Sequence, residues 1–248
     1  MRGDGEASEA LLAELLRAGP GAPGARAFLH DRALDESQVI ALLRLAVPVA
    51  LLEALAATPP WSERPRVLGS VCLNPSTPRA LAQRLLPGLY WRDLADAATS
   101  PRVEGGVRAR AEGLLKERLT ELRLGEKITL ARLATSALLR LLLLEPDPRI
   151  LAAALQNPRL TESDLGGFVQ SGEASRALLE AVAASSRWRA SYAVRLALVL
   201  QPRTPTGVAL GQLTSLVAHD LRRIAGHPGL RPVVRAAARR VAMEGRRR

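Results

Sequence analysis

Lysine is almost missing from this chain, with two residues against 33 arginines, and the composition is short of several other residue types as well. The arginine bias, with the alanine, glycine and proline load, matches codon drift in a GC-rich genome, so part of the high isoelectric point carries no functional meaning. Cysteine occurs once, at Cys72, which excludes an internal disulfide and a cysteine metal cluster. The three histidines, His30, His219 and His227, lack the i, i+4 spacing of a helical metal pair, so no metal is expected. Aromatics make up only 3% of the residues while leucine and alanine abound, which disfavours a β-sandwich and favours helices packed by small and aliphatic side chains. No nucleophile elbow, phosphate-binding loop, zinc-protease or dinucleotide fingerprint occurs, so no catalytic residue or cofactor is expected. No apolar run reaches the length of a membrane span; Ile128–Leu144 comes nearest and is broken by Arg132 and Arg140. The opening MRGDGEASEALL lacks the apolar core of a signal peptide, and a cytoplasmic protein is the expectation.

What is present is an internal echo. LNPSTP at Leu73–Pro78 returns as LQPRTP at Leu200–Pro205, and sliding the chain by 127 positions aligns Leu51–Leu115 with Leu178–Ala242 without a gap. LLEALAATPPW (Leu51–Trp61) meets LLEAVAASSRW (Leu178–Trp188), and VRARA at Val107 meets VRAAA at Val234. With a one-residue shift, LHDRALDES (Leu29–Ser37) meets LQNPRLTES (Leu155–Ser163). The expectation is a tandem duplication: copy 1 at 9–119, a joining segment and helix start at 120–135, copy 2 at 136–245 and a basic tail at 246–248. Thr77-Pro78 and Thr204-Pro205 are spaced as N-cap and first-turn proline, and Asp35 with Gln38 and Thr161 with Asp164 as capping boxes. Pro48, Pro146, Pro158 and Pro232 mark further breaks between apolar helical patterns of roughly ten residues.

Many short helices in periodic order predict an all-α fold, a curved α-solenoid of short antiparallel helix pairs. NPSTP, NPRLTE and the PVVRAAA of Pro232–Ala238 resemble HEAT-like and leucine-rich-repeat-variant units from bacteria, over most of the chain. The resemblance implies a right-handed stack of helix pairs whose shared role is binding, with no catalytic residues to carry over.

Residues repeated in both copies are assigned to the shared fold, and residues peculiar to one copy become candidates for function. Asp93 with Arg108, and Asp220 with Arg235, recur at one spacing and are expected as inter-helix ion pairs. Trp61 and Trp188 are expected as packing residues and Cys72 as inert core. Tyr90 and Trp91 face Val217 and Ala218 in the second copy; adjacent aromatics cannot share one helix face, which makes them candidate partner contacts.

The net charge of +11 is lopsided: Leu221–Arg248 holds nine arginines and one acid, Glu244. Arg222, Arg223, Arg239, Arg240, Arg246, Arg247 and Arg248 are therefore candidate anion or nucleic-acid contacts, against the alternative of a solvated capping helix. A membrane role is disfavoured because no bulky apolar anchor flanks the arginines. Two functions follow: a non-enzymatic scaffold binding a partner protein on a curved surface, or a sequence-nonspecific nucleic-acid binder. A HEAT-like DNA glycosylase ranks a distant third, because no match to the catalytic aspartate of those enzymes is found. The charge of the groove discriminates: a protein partner tolerates mixed charge, whereas a duplex needs a continuous basic stripe.

Overall fold

The computed structural model describes residues 2–19, 21–31 and 34–244; the tail arginines Arg246, Arg247 and Arg248 lie outside the described residues. Every regular element among the described residues is helical. The chain divides into two compact units, Met1–Glu121 and Leu122–Arg248. The first holds α1 (Arg2–Ala18), α2 (Ala22–Asp31), α3 (Glu36–Leu42), α4 (Val49–Ala57), α5 (Pro65–Leu73), α6 (Arg79–Leu85), α7 (Trp91–Thr99) and α8 (Gly105–Arg118). The second holds α9 (Leu124–Leu133), α10 (Ser136–Leu142), α11 (Pro148–Leu155), α12 (Glu162–Gln170), α13 (Arg176–Ala184), α14 (Ser186–Arg189), α15 (Tyr192–Leu200), α16 (Thr206–Leu213), α17 (Ala218–Gly226) and α18 (Pro232–Glu244). No described helix is long and apolar enough to cross a membrane.

In the first unit α1 packs on α3, α3 on α5 and α5 on α7, while α2 packs on α4 and α6 on α8. In the second, α9 packs on α11, α11 on α13, α12 on α15, α15 on α17 and α16 on α18. Each helix meets elements one to three places along the chain, and short apolar stripes suffice for that. On α7, Leu94, Ala95, Ala97 and Ala98 are buried, which leaves Asp93 and Asp96 on the next stripe round. On α4, Leu51, Leu52 and Leu55 are wholly buried, and each contributes about 1.5–3 kcal/mol by leaving water.

Helix starts follow local chemistry. Asp35 accepts the Gln38 N–H at 2.8 Å while Gln38 Oε1 accepts the Asp35 N–H at 3.0 Å, a complete capping box on α3. At α12 the reciprocity is lost: Thr161 Oγ1 accepts the Asp164 N–H at 3.1 Å and donates to the Asp164 carboxylate at 2.6 Å. Aspartate is one methylene shorter than the glutamate or glutamine of a full box. The Thr-Pro corners also depart from expectation. Prolines 78 and 205 are themselves the cap residues of α6 and α16. Thr77 Oγ1 turns back to donate to the Val71 carbonyl at 2.5 Å, and Thr204 Oγ1 is buried without a partner among the described residues. The Thr77 hydroxyl thus serves the end of the preceding helix, not the start of the next.

The corners are closed by buried amides. Asn74, Asn157 and Gln201 are each 6% exposed or less, and each precedes a proline. Asn74 Nδ2 donates to the Leu43 and Leu45 carbonyls at 2.8 and 2.7 Å, at the end of α3. Asn157 Nδ2 donates to Ala131 and Ala134 at the end of α9, and Gln201 Nε2 to Val169 and Ser171 at the end of α12. Each amide oxygen accepts the backbone N–H two residues on, from Ser76, Arg159 and Arg203. A helix leaves its last carbonyls unsatisfied, and here a side chain from a packed neighbour takes them.

Arginines complete the same task. Arg118 donates to Pro87 and Leu89, Arg159 to Leu133, Arg203 to Gly172, and Arg187 to Leu155, Asn157 and Leu160. The rigid five-donor fork of guanidinium spans several carbonyls where an ammonium makes point contacts.

Candidate functional site

The face of the first unit formed by α1, α3, α5 and α7 carries two adjoining clefts. One, of about 950 Å³, lies between α1 and α3 and reaches Arg66 on α5. The next, of about 540 Å³, runs over α3, α5 and α7 and is lined by Ser70, Leu73, Asp96, Thr99 and Arg102 among others. Ile40 and Arg44 border both, so the two form one path across the packed helices. Helical spacing builds it: Arg66, Ser70 and Leu73 share one stripe of α5, and Asp96 with the C-cap Ser100 follows the same spacing on α7, while Asp93, one turn earlier, lines neither cleft.

The charges along this path are mixed. Glu36 holds Arg64 at 3.4 Å and Arg66 at 3.9 Å. Arg44 and Arg102 are exposed. Asp93 and Asp96 form no ion pair among the described residues. Partial burial raises the pKa of both above the ordinary carboxylate value; for Asp93 the Asp96 charge adds to this, and Arg66 and Arg92 oppose it. The neighbouring Cys72 thiol is buried, and desolvation with the Asp93 charge pushes its pKa to about 12, so it stays protonated.

Asp93 and its counterpart 127 positions on, Asp220, have different surroundings. Asp220 accepts a hydrogen bond from the Tyr192 hydroxyl, and that hydroxyl also accepts the Val217 N–H at 3.3 Å, serving as a cap for α17. Burial and the hydrogen bond to Asp220 hold the Tyr192 pKa above the phenol value. In the first unit Pro65 occupies the place of Tyr192 and supplies no hydroxyl. Asp93 instead lies against Gly69, where an added Cβ would sit 2.8 Å from its Oδ1. The first unit therefore leaves open a carboxylate that the second closes.

This geometry overturns the expected shared ion pairs. Arg108 does not meet Asp93; its Nη1 donates to the Val103 carbonyl at 3.1 Å. Arg235 does not meet Asp220, and its Nε is buried without a partner among the described residues. The acids are reached from the helix packed beside α7 or α17, not from the one that follows in sequence. Trp61 and Trp188 are both 5% exposed; Arg64 stacks over the first ring at 5.0 Å and Arg187 over the second at 4.3 Å. Tyr90, at the cap of α7, is 63% exposed, while Trp91 is half-buried. Neither lines the two clefts.

The basic end is divided. Arg222 and Arg239 line one small cleft between α17 and α18. Arg240 pairs with Glu244 at 3.9 Å, and Arg223 is exposed on α17. Among the described residues no cluster of histidine, cysteine and carboxylates could hold a metal.

No protein family, curated protein or solved structure matches the chain. The residues of the first-unit path were not singled out from sequence. Across the 127-position offset Arg66 faces Ala193, Asp96 faces Arg223 and Arg102 faces Gly229, so comparing positions across that offset could have found them.

Proposed function

We propose that the chain is a non-enzymatic helical-repeat scaffold, built of two tandem copies of a HEAT-like unit, that binds a partner protein along the α1/α3/α5/α7 face. The duplication is supported by helix bounds: α4, α5 and α7 are each separated by 127 positions at both ends from α13, α15 and α17. One observation carries the functional reading: an open path over four packed helices, where Arg66, Asp96 and Arg102 differ from the residues 127 positions on. Its charges are of both signs, which suits a protein surface and not a phosphate backbone.

A photo-reactive side chain placed at Ser70 tests this. In extracts of the source cells it should cross-link a discrete protein, and Asp96→Arg with Arg102→Glu should abolish the product while sparing the melting temperature. The same probe at Arg110, which is exposed on α8 and does not line these clefts, is the control. Equal products at both positions, or a product that survives the double change, would remove this face from the proposal. Retention of a DNA duplex at physiological salt that depends on Arg222 and Arg223 would favour the nucleic-acid alternative.

A further inference from the structure

A second surface, independent of that face, lies where α17 packs on α18. Arg222 from α17 and Arg239 from α18 line a cleft of about 190 Å³ with Ala225, Ala242 and Met243. Both guanidinium groups are already positioned: Arg222 Nε donates to the Ala218 carbonyl and Arg239 Nη2 to the Ala225 carbonyl, each at 3.2 Å. One of five donors is used on each, and the rest remain for a ligand. Neither acid on these helices lines the cleft: Asp220 accepts from the Tyr192 hydroxyl and Glu244 lies 3.9 Å from Arg240. Met243 is 67% exposed beside the two cations, an apolar surface with no described cover.

We propose that this cleft docks an acidic peptide segment of a partner protein, in which a carboxylate stands next to an aliphatic side chain. The carboxylate lies between the guanidinium forks, and the aliphatic group covers Met243 and the alanines. Charge complementarity selects the occupant: two guanidinium forks lining one cleft with apolar neighbours match a carboxylate beside an aliphatic group. A duplex requires cations spaced along a backbone, and two of the adjoining arginines are engaged elsewhere. Arg240 is turned to Glu244, and Arg231 Nη1 donates to Thr206 Oγ1 at 2.7 Å. The apolar floor offers a phosphate ladder nothing.

Fluorescence anisotropy on the full chain tests the proposal with three labelled probes: a peptide alternating glutamate and leucine, its lysine counterpart and a short DNA duplex. Saturable binding of the acidic peptide alone is expected, weakening as salt rises. Arg222→Glu and Met243→Asp should each lower that affinity on the order of tenfold or more. Arg240→Glu should change it little. Arg239→Gln should act like Arg222→Glu; because it also frees the Ala225 carbonyl, its melting temperature is read in parallel. Asp96→Arg on the first unit should leave the affinity unchanged, which separates this site from the face proposed above. Absence of saturable acidic-peptide binding, equal binding of the lysine peptide, or tighter binding of the duplex with the same dependence on Arg222 would each overturn the proposal.

Discussion

At the scale of single residues, the buried amides are the strongest constraint in the molecule. Asn157 has no exposed surface, and its side chain meets three backbone groups shielded from bulk solvent. Asn157→Ala should therefore destabilise the protein by about 2–4 kcal/mol, because two carbonyls and one N–H lose their partners together. Urea unfolding measures this, and an unchanged midpoint would show that the carbonyls find other donors. Asp93 and Asp96 act in the opposite direction. Their native pKa values lie above the ordinary carboxylate value, so the native state binds protons more tightly than the unfolded chain. The stabilisation this gives is complete below the unfolded value of 3.8 and is lost as pH rises through the native values. At neutral pH both groups are charged and half-buried, a cost the fold carries. Asp93→Asn with Asp96→Asn should raise the melting temperature at neutral pH, and the advantage should shrink on acidification. Identical midpoints across that range would show that neither carboxylate is strained. If the same double variant loses the partner, the strain belongs to binding.

At the scale of elements, the ends of helices decide more than their middles. Arg187 illustrates this: its fork reaches three carbonyls at and beyond the end of α11 and its plane lies over Trp188. Arg187→Lys keeps the charge but cannot span those acceptors, and should cost about 1–2 kcal/mol in a denaturant titration. Arg222→Lys, on an exposed helix face, should cost almost nothing. The helical class was legible in the sequence because prolines and capping residues punctuate apolar stripes of helical spacing, and Asp35 with Gln38 closes the box its spacing promised. The partners of side chains were not legible. Asp220 and Arg235 recur at a suggestive spacing, yet the hydroxyl that reaches Asp220 comes from Tyr192, 28 positions upstream, on the helix packed alongside. Thr77 looked like a cap for the helix ahead and serves the one behind. The first-unit path was hidden for the same reason, since residues as distant as Arg44 and Arg102 adjoin only once α3, α5 and α7 are packed. Several arginines, which composition alone reads as charge, also hold backbone carbonyls.

At the scale of the whole molecule, the mainly sequential packing of the described helices within each unit has a thermodynamic consequence. Where the main packing of each element is on elements one to three places away, stability is close to a sum of local and nearest-neighbour terms, and opening need not be global. Gln201 is a suitable point to test this, because its amide joins the end of α15 to the carbonyls that end α12. In Gln201→Ala, amide hydrogen exchange should quicken in α12, α15 and α16. The slow exchange of α9, α10 and α11 should persist, since Asn157, holding the end of α9, is untouched. Mass spectrometry of exchanged peptides resolves the two regions. A uniform rise across the second unit would mean that it opens as one body, and the nearest-neighbour account would fail for this chain. A graded rise, largest at α12 and α15, would show that the amide corners set the local stability of each step. It would also explain how the first unit can carry strained, half-buried acids at Asp93 and Asp96 without lowering the stability of helices that do not touch them.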